Sequence, residues 1–470
     1  MMAPASVFIP PERRVRNPLI TEAGYLMFDR IRQHPAAPRW NYVVGDRIEA
    51  EDLPLIQVYR EAVFAGRPPG AGGPPPQITA WVRGLRDRVR IFQERLPEGY
   101  NLERDWAYIE TMRREDVAVR TGDLVPMDAD LSRLIVYDTS GTTGHAIAVP
   151  SHPLAQARTH PLLEYVLGRY GLEPVFGPEM VACICVSARS KTVIFPNVFS
   201  VWNQAGFAKV NLHPQDWADV EKARRFFQDL APWFLTGDPV GFAEMMKWDI
   251  PVRPAALVST AVTLSPGLKS RLEERYGCPA IDWYSSTETG PVAYACPRGL
   301  GLHLLPPDIY VEVLDEEGFP VPEGERGEIA VTGGRNPYLP LLRYRTGDWG
   351  RLDFSPCPCG DQSPRLLDLD GRSPVFFRAV DGSVVNPVDI GRLLRGEFVF
   401  VQHEFIQRAD GSCELNLRPA AGCPLSEKRI LEILRGLFGP DLEIRVNLDE
   451  TLGDRTASGK VVPYRSELAV

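Results

Sequence analysis

The stretch LVSTAVTLSPGLKSRLEERYGCPAIDWY, residues 257–284, decides the fold class. Its first seven residues are apolar and β-prone, and they end just before Ser265, whose hydroxyl can cap a helix. Pro266 suits the first position of that helix, and Gly277 stands where the helix would end. Ala280–Tyr284 is again apolar and β-prone. The order strand, helix, strand predicts an α/β architecture.

The segments before Leu131 are mainly helical in pattern. Helical periodicity covers Ile78–Arg95 and Trp106–Arg114, and the Pro/Gly-rich tract at 66–76 reads as a surface linker. From Leu131 the pattern alternates between strand and helix, which is typical of an α/β domain.

Beyond Asp370 the pattern changes. Phe398–Gln407 and Glu414–Arg418 are strand-like and are joined by a hairpin signal, and Ser426 can cap a helix. These elements predict a small α+β unit. We therefore expect a large N-terminal α/β domain over residues 1–370 and a small, mobile C-terminal domain over residues 371–470.

Composition and charge exclude several classes of protein. The chain has 470 residues, of which 44% are hydrophobic and 24% charged, as is usual for a globular protein. A net charge of −9 without a Lys/Arg block argues against nucleic acid as a partner. No apolar stretch approaches the roughly 20 residues of a membrane-spanning helix, and the first residues lead us to expect no secretory signal. We expect a cytoplasmic protein without a membrane partner.

The strongest local motif is Tyr137-Asp138-Thr139-Ser140-Gly141-Thr142-Thr143-Gly144. Small residues let the backbone approach a phosphate closely, and their amides and hydroxyls donate hydrogen bonds to its oxygens. No Gly-Lys-Ser/Thr follows, so the motif is not a P-loop. Taken alone, it also fits an ordinary Gly/Ser/Thr turn.

Three further motifs lie downstream. The stretch 283–290 reads WYSSTETG, in which an aromatic residue can stack on a base and a glutamate can hold Mg²⁺. The stretch 343–348 reads RYRTGD, in which an aspartate in a glycine turn can bind ribose hydroxyls. Ser458-Gly459-Lys460 lies near the C-terminus. Each motif alone also fits an ordinary turn or solvated surface.

The order of the four motifs, with Gly371-Arg372 between the last two, resembles the adenylate-forming superfamily of acyl-CoA synthetases, peptide-synthetase adenylation domains and firefly luciferase. The resemblance spans about residues 106–465. Details resemble the phenylacetate–CoA ligase branch: Leu264-Ser265-Pro266 before the helix, Cys357-Pro358-Cys359-Gly360, and the run Ile109–Asp116.

The resemblance implies a nucleotide site. In it Tyr284 would flank the adenine, while Asp348 and Arg372 would hold the ribose. The loop at 139–144 would bind the β,γ-phosphates of ATP. The implied ATP-binding residues are Thr139, Ser140, Gly141, Thr142, Thr143, Gly144, Tyr284, Ser285, Asp348 and Arg372.

The resemblance also implies a reaction and its catalytic residues. Thr287 would contact the α-phosphate, Glu288 would coordinate Mg²⁺, and Lys460 would reach both the carboxylate and the α-phosphate. A small carboxylic acid and ATP would give an acyl-adenylate, and CoA would then accept the acyl group. Two alternatives stay open: an amine or amino acid as the acceptor, and a nucleotide sensor that has lost catalysis.

The sequence departs from the superfamily pattern at three places. The phosphate loop continues as Gly144-His145-Ala146, without the usual lysine. Pro374 follows Gly371-Arg372, where an acidic hinge residue is usual, and proline fixes φ near −65°. Residues 260–263 lack an acidic residue often found before Leu-Ser-Pro. These departures leave adenylation as the expected first step and weaken the case for CoA.

A structural zinc site is also predicted. Three cysteines and a histidine suit tetrahedral Zn²⁺ and leave no ligand position open for catalysis. The alternative is four unrelated residues, since a Cys-x-Cys spacing is less usual than Cys-x₂-Cys. Cys183, Cys185 and Cys278 are expected in the core. The predicted ligands are Cys296, His303, Cys357 and Cys359.

The acid pocket is predicted from an aromatic-rich segment, residues 195–207. Phe199, Trp202 and Phe207 would line it, and an aromatic acid would suit such walls. The alternative is that these side chains belong to the core. The sequence does not determine the oligomeric state, and a homodimer is compatible with it.

Overall fold

The computed structural model describes residues 7–66, 73–138, 147–189, 192–261, 264–370, 377–385, 387–398, 400–419, 424–452 and 463–468.

The α-helices of these ranges are numbered in chain order. They are α1 (Pro11–Arg16), α2 (Glu22–Arg32), α3 (Asp52–Ala65), α4 (Pro76–Leu85), α5 (Arg90–Arg95), α6 (Leu102–Asp105), α7 (Arg114–Val119), α8 (Thr121–Leu124), α9 (Pro153–Arg169), α10 (Val220–Leu230), α11 (Pro239–Lys247), α12 (Pro266–Tyr276), α13 (Pro387–Glu397) and α14 (Glu427–Phe438). Short 3₁₀ turns lie at Trp106–Tyr108, Leu131–Arg133, Ser200–Trp202 and Pro214–Asp216.

The strands are numbered in the same way. They are β1 (Ile135–Asp138), β2 (Ala148–Ser151), β3 (Val181–Ser187), β4 (Phe195–Phe199), β5 (Ala205–Asn211), β6 (Phe234–Gly237), β7 (Ala256–Ser259), β8 (Ala280–Ser286), β9 (Gly290–Ala295), β10 (Leu302–Leu304), β11 (Ile309–Leu314), β12 (Gly327–Gly333), β13 (Leu341–Asp353), β14 (Arg365–Asp370), β15 (Phe377–Arg378), β16 (Val384–Val385), β17 (Phe400–Gln407), β18 (Cys413–Pro419), β19 (Ile444–Leu448) and β20 (Tyr464–Ser466).

The largest sheet of the described ranges has twelve strands in the order β11-β12-β13-β14-β10-β9-β8-β7-β6-β3-β5-β4. Strands β5, β3, β6, β7 and β8 run parallel to one another, and β4 pairs antiparallel with β5 at the edge of the sheet. From β8 onward the pairings through β9, β10, β14, β13, β12 and β11 are antiparallel. Strand β8 therefore joins a parallel half to an antiparallel half, and the predicted α/β fold is confirmed.

Helix α12 forms where the sequence predicted it. The Ser265 hydroxyl accepts a hydrogen bond from the Leu268 amide at 3.4 Å, and the helix ends at Gly277, whose φ is +69°. Alternate residues of the flanking strands enter different cores: Leu257 and Ala280 join one buried cluster, and Val258 and Ile281 join another. Because successive strand side chains point to opposite faces, the parallel half is covered on both faces.

Two helical predictions need correction. The pattern at 78–95 forms two helices, α4 and α5, rather than one. The pattern at 106–114 is not a helix: after one 3₁₀ turn the chain extends, and Met112 forms a parallel bridge with Tyr344 of β13. Pairing with the sheet overrides helical periodicity there, and α7 begins only at Arg114.

The C-terminal region forms its own sheet, in the order β19-β18-β17-β20, with α13 and α14. Helix α14 is capped by Ser426, as the sequence predicted. A separate buried cluster, which includes Phe405, Leu434 and Phe438, gives this region its own core. Among the described residues, no helix combines the length and apolarity that crossing a bilayer would require.

Candidate active site and metal centre

The turn after β8 carries the end of the motif 283–290 at the carboxyl end of the parallel strands, where α/β sheets bind their ligands. Ser286 Oγ accepts a hydrogen bond from the Thr289 amide at 3.1 Å and so closes the turn. Gly290 follows with φ +67°, a left-handed conformation that favours glycine. Thr287 is exposed at the tip of the turn, whereas Glu288 is only 4% exposed.

The motif 343–348 lies on β13, beside this turn. The Tyr284 hydroxyl is 2.9 Å from Asp348 Oδ2 and 3.4 Å from Thr346 Oγ1. Burial, reinforced by the Asp348 charge, raises the pKa of Tyr284, so the phenol stays protonated and donates its hydrogen to the carboxylate. The fold thus brings together the residues predicted to contact adenine and ribose.

The turn that carries Asp348 is fixed by a buried carboxylate. Arg345 Nε donates to Glu328 Oε2 at 2.6 Å, and the Gly347 amide donates to Glu328 Oε1 at 3.1 Å. Gly347 has φ +82°, so its conformation favours glycine. Glu328 therefore sets the position of the aspartate through two neighbouring residues.

Glu288 has partners that the sequence reasoning missed. Arg114 Nη1 forms an ion pair with Glu288 Oε1, and the Tyr344 hydroxyl lies 3.4 Å from the same oxygen. Both partners stand in motifs that the sequence singled out, but neither had a role there. Only the pairing of residue 112 with β13 brings Arg114 to the turn, and local pattern carries no signal for that pairing.

Several predicted residues lie outside the described ranges. They are Thr139, Ser140, Gly141, Thr142, Thr143, Gly144, Arg372, Pro374 and Lys460. Their roles stay predictions. Ser285 is described, on β8, and is half-buried next to Tyr284.

The predicted acid pocket is largely packed. Phe199 and Trp202 are 7% and 4% exposed, and both rings contact His160 edge-on, with centroids 4.5 and 4.2 Å away. Phe207 is half-buried, and its centroid lies 4.9 Å from that of Phe199. This packing favours the core alternative for Phe199 and Trp202, and Phe207 keeps the more accessible position.

The four predicted metal ligands converge. One ligand atom from each of Cys296, His303, Cys357 and Cys359 lies within 4.8 Å of all the others. Cys296 Sγ is 3.6 Å from Cys357 Sγ, and Cys359 Sγ is 3.1 Å from His303 Nε2. Cys296 lies in the β9–β10 turn and His303 on β10, whereas Cys357 and Cys359 lie in the β13–β14 connection, which is distant in sequence.

Neighbouring groups orient this cluster. His303 Nδ1 lies 3.0 Å from the Ser363 carbonyl, which leaves Nε2 directed at the cysteines. Backbone amides of Arg298 and Asp361 donate to Cys296 Sγ and Cys359 Sγ at 3.3 and 3.4 Å. Cys183 and Cys278, in contrast, are buried in the core, as predicted.

Comparison with known proteins fits this geometry. The family model described as AMP-binding enzyme matches residues 178–336. An indoleacetate–CoA ligase of Aromatoleum aromaticum is 26% identical over 82% of this chain and 75% of its own length. A phenylacetate–coenzyme A ligase of Thermus thermophilus is 28% identical over 31% of this chain and 34% of its own.

These matches support the predicted resemblance of the chain to the adenylate-forming superfamily. Among solved structures, a 2-hydroxyisobutyryl-CoA ligase in complex with 2-HIB-AMP and CoA shares the fold, with a TM-score of 0.56 and 17% identity over 91% of this chain and 97% of that one. Across the first curated relatives that the chain matches, the matched part spans 15% to 60% of the relative's own length. The motif at 283–290 and the strand before it fall inside the family match.

Proposed function

We propose that this adenylate-forming protein activates a small carboxylic acid with ATP and then transfers the acyl group to CoA. The observation that carries the proposal is the contact between Tyr284 and Asp348 at the end of β8, where the two residues would form a nucleoside site. Glu288 lies four residues further along, in the same turn. Two expected nucleotide contacts and an expected metal ligand are therefore neighbours in the fold.

In the proposed reaction the chain positions ATP and offsets its charge. Tyr284 and Asp348 would hold the nucleoside, and Thr287, exposed at the tip of the turn, would donate to the α-phosphate. Glu288 offers the hard oxygen donor that Mg²⁺ prefers, and Mg²⁺ would screen the polyphosphate against the attacking carboxylate. Lys460 would add a positive charge where the acyl–phosphate bond forms.

The names of the relatives support CoA and an aryl acid as substrates. Both ligases named above act, by name, on aromatic acetates and CoA. Phe207 is the predicted pocket residue with the most accessible position. Because ATP and CoA are cytoplasmic metabolites, the proposal also places the protein in the cytoplasm.

We propose further that Cys296, His303, Cys357 and Cys359 bind a structural zinc ion. Three thiolates and one imidazole match the donor set of closed, four-coordinate sites. Arg365 Nη1 lies 3.8 Å from Cys357 Sγ and would offset the excess negative charge of three thiolates. The ion would fasten the β9–β10 turn to the β13–β14 connection, away from the nucleotide motifs.

The decisive experiment is pyrophosphate release from MgATP with a panel of aryl and short aliphatic acids, each with and without CoA. We expect release that depends on one class of acid and a turnover that rises with CoA. If turnover rises only with an added amine, the acceptor is that amine rather than CoA. ATP binding without release, for every acid, would favour the nucleotide sensor.

Lys460→Ala provides a matched test of the chemical step. We expect this variant to lose acid-dependent pyrophosphate release while it still binds ATP. Lys428→Ala, which removes an exposed lysine of α14, is the control and should keep full activity. Near-normal release from Lys460→Ala would contradict the proposed mechanism.

A further inference from the structure

Arg114 is held beside the proposed metal ligand by a segment attached to β13. The Met112 amide donates to the Arg343 carbonyl at 3.1 Å, and the Arg345 amide donates to the Met112 carbonyl at 2.8 Å. The buried Arg343 guanidinium also donates to the Ala107 and Ile109 carbonyls, at 2.9 and 2.6 Å. Residues 107–112 are thus fixed on the sheet. The chain leaves the sheet after Met112, and α7 begins at Arg114.

The phosphate loop predicted from the sequence lacks an expected cation. The segment 139–146, which includes the loop that the resemblance assigns to the phosphates, contains no lysine or arginine, and His145 is its one basic residue. The Arg114 guanidinium contacts Glu288 and is about a quarter exposed, with a side-chain accessibility of 24%. A positive charge therefore stands beside the metal ligand and comes from a different part of the chain.

We propose that Arg114 supplies this missing charge by binding the β,γ-phosphates of ATP. The inference rests on the proposed function, in which Glu288 holds the magnesium of MgATP. Two oxygen ligands of one Mg²⁺, each at about 2.1 Å, lie at most about 4 Å apart. A group in contact with Glu288 is accordingly within reach of a phosphate oxygen on the same metal.

The exchange of partners is favourable on electrostatic grounds. If Glu288 held Mg²⁺, its charge would be offset and its ion pair with Arg114 would weaken. The guanidinium then meets a polyphosphate of higher charge, to which its planar donors bind in a bidentate manner. Tyr344 also contacts Glu288 and would keep the carboxylate in place during the exchange.

The test measures nucleotide binding without any acid, so that it does not depend on turnover. Arg114→Met should weaken the binding of MgATP roughly 10- to 100-fold, as expected for the loss of charge-assisted hydrogen bonds. AMP lacks the β,γ-phosphates, and its affinity should change by less than about twofold. Arg114→Lys should recover part of the ATP affinity. Arg113→Met removes an exposed charge one residue away and should change neither affinity.

Two outcomes would overturn the inference. If Arg114 serves only as the partner of Glu288, Arg114→Met frees the carboxylate for magnesium, and MgATP binds as tightly as before or more tightly. If Arg114 serves only the fold, ATP and AMP affinities fall together. Failure of the proposed function is separate, because it appears as absent pyrophosphate release in the unmodified protein, whereas the ratio of ATP to AMP affinity still tests Arg114.

Discussion

The Tyr284 hydroxyl lies 2.9 Å from Asp348 Oδ2 and joins two motifs that are 64 residues apart in the chain. The contact fixes the ring of Tyr284 and one oxygen of Asp348 through a hydrogen bond between protein groups alone. Groups that are already ordered lose less conformational entropy when a ligand binds. The proposed nucleoside site is therefore preorganised by its own residues.

Tyr284→Phe should weaken the binding of ATP and AMP to the same extent. The change removes the hydroxyl and leaves the ring, and a lost hydrogen bond of this kind costs about 1 kcal/mol, or roughly fivefold in affinity. Because both nucleotides carry the same nucleoside, isothermal titration should give equal losses, in contrast to Arg114→Met. Tyr108→Phe, at an exposed tyrosine, is the control. Unchanged affinities would place the nucleoside elsewhere.

Cys359→Ser should remove the proposed zinc. The native protein, purified without added metal, should contain about one zinc per chain, since four converging ligands close a tetrahedral site. Elemental analysis should show little zinc in Cys359→Ser, together with a lower melting temperature. Cys278→Ser changes a buried cysteine outside the cluster and should retain the metal. A metal-free native protein would show that the four side chains pack without an ion.

Local sequence signals predicted the elements whose ends depend on their own residues. Helix α12 begins after Ser265 and ends at Gly277 because a cap and a left-handed residue act within one turn. The same reasoning found α14, and it found the metal cluster because the chemistry of its donors is unusual. The two helices need no knowledge of distant neighbours, and the cluster is recognised from the types of its donors although they lie far apart in the chain.

Features that depend on distant pairing were not accessible from the sequence. Residues 106–114 have helical periodicity, but residue 112 pairs with Tyr344, more than 200 positions later. The partner of Glu288 follows from that pairing, and Arg114 was for this reason missed. The positions of Phe199 and Trp202 were not predictable for the same reason, because an aromatic-rich segment fits a pocket and a core equally well. Only the contact of His160 with both rings shows that they are packed.

Asp282 should make stability depend on pH. Burial raises the pKa of Asp282 to about 6, above the ordinary value of about 3.9. The folded protein then holds this proton more tightly than the unfolded chain, so the free energy of unfolding falls as pH rises from about 4 to about 6. Asp282→Asn avoids that loss. At pH 7.5 we expect it to be more stable than the native protein by about 1–3 kcal/mol.

Urea unfolding at several pH values measures this difference. Below pH 4 the advantage of Asp282→Asn should vanish, because the unmodified chain then carries this proton in both the folded and the unfolded state. Asp441→Asn, the same change at an exposed position, is the control. An advantage that is the same at pH 4 and pH 7.5 would assign the effect to packing rather than to the proton.

Arg343→Ala should be strongly destabilising. The Arg343 side chain is 1% exposed and pairs with Glu312, which is 2% exposed, at 3.2 Å. Its backbone has φ +47°, so surrounding contacts hold it in a conformation that costs a non-glycine residue about 1–3 kcal/mol. Removing the guanidinium leaves Glu312 buried without its charge partner, which costs about 3–5 kcal/mol.

Urea unfolding of two arginine variants separates this buried pair from an ordinary surface pair. Arg351→Ala breaks an exposed pair with Asp368 and should cost less than about 1 kcal/mol. Adding Glu312→Gln to Arg343→Ala should recover part of the lost stability, because the uncompensated charge disappears. Equal costs for Arg343→Ala and Arg351→Ala would contradict the prediction. Since Arg343 also holds residues 107–109, its loss should weaken ATP binding more than AMP binding, through displacement of Arg114.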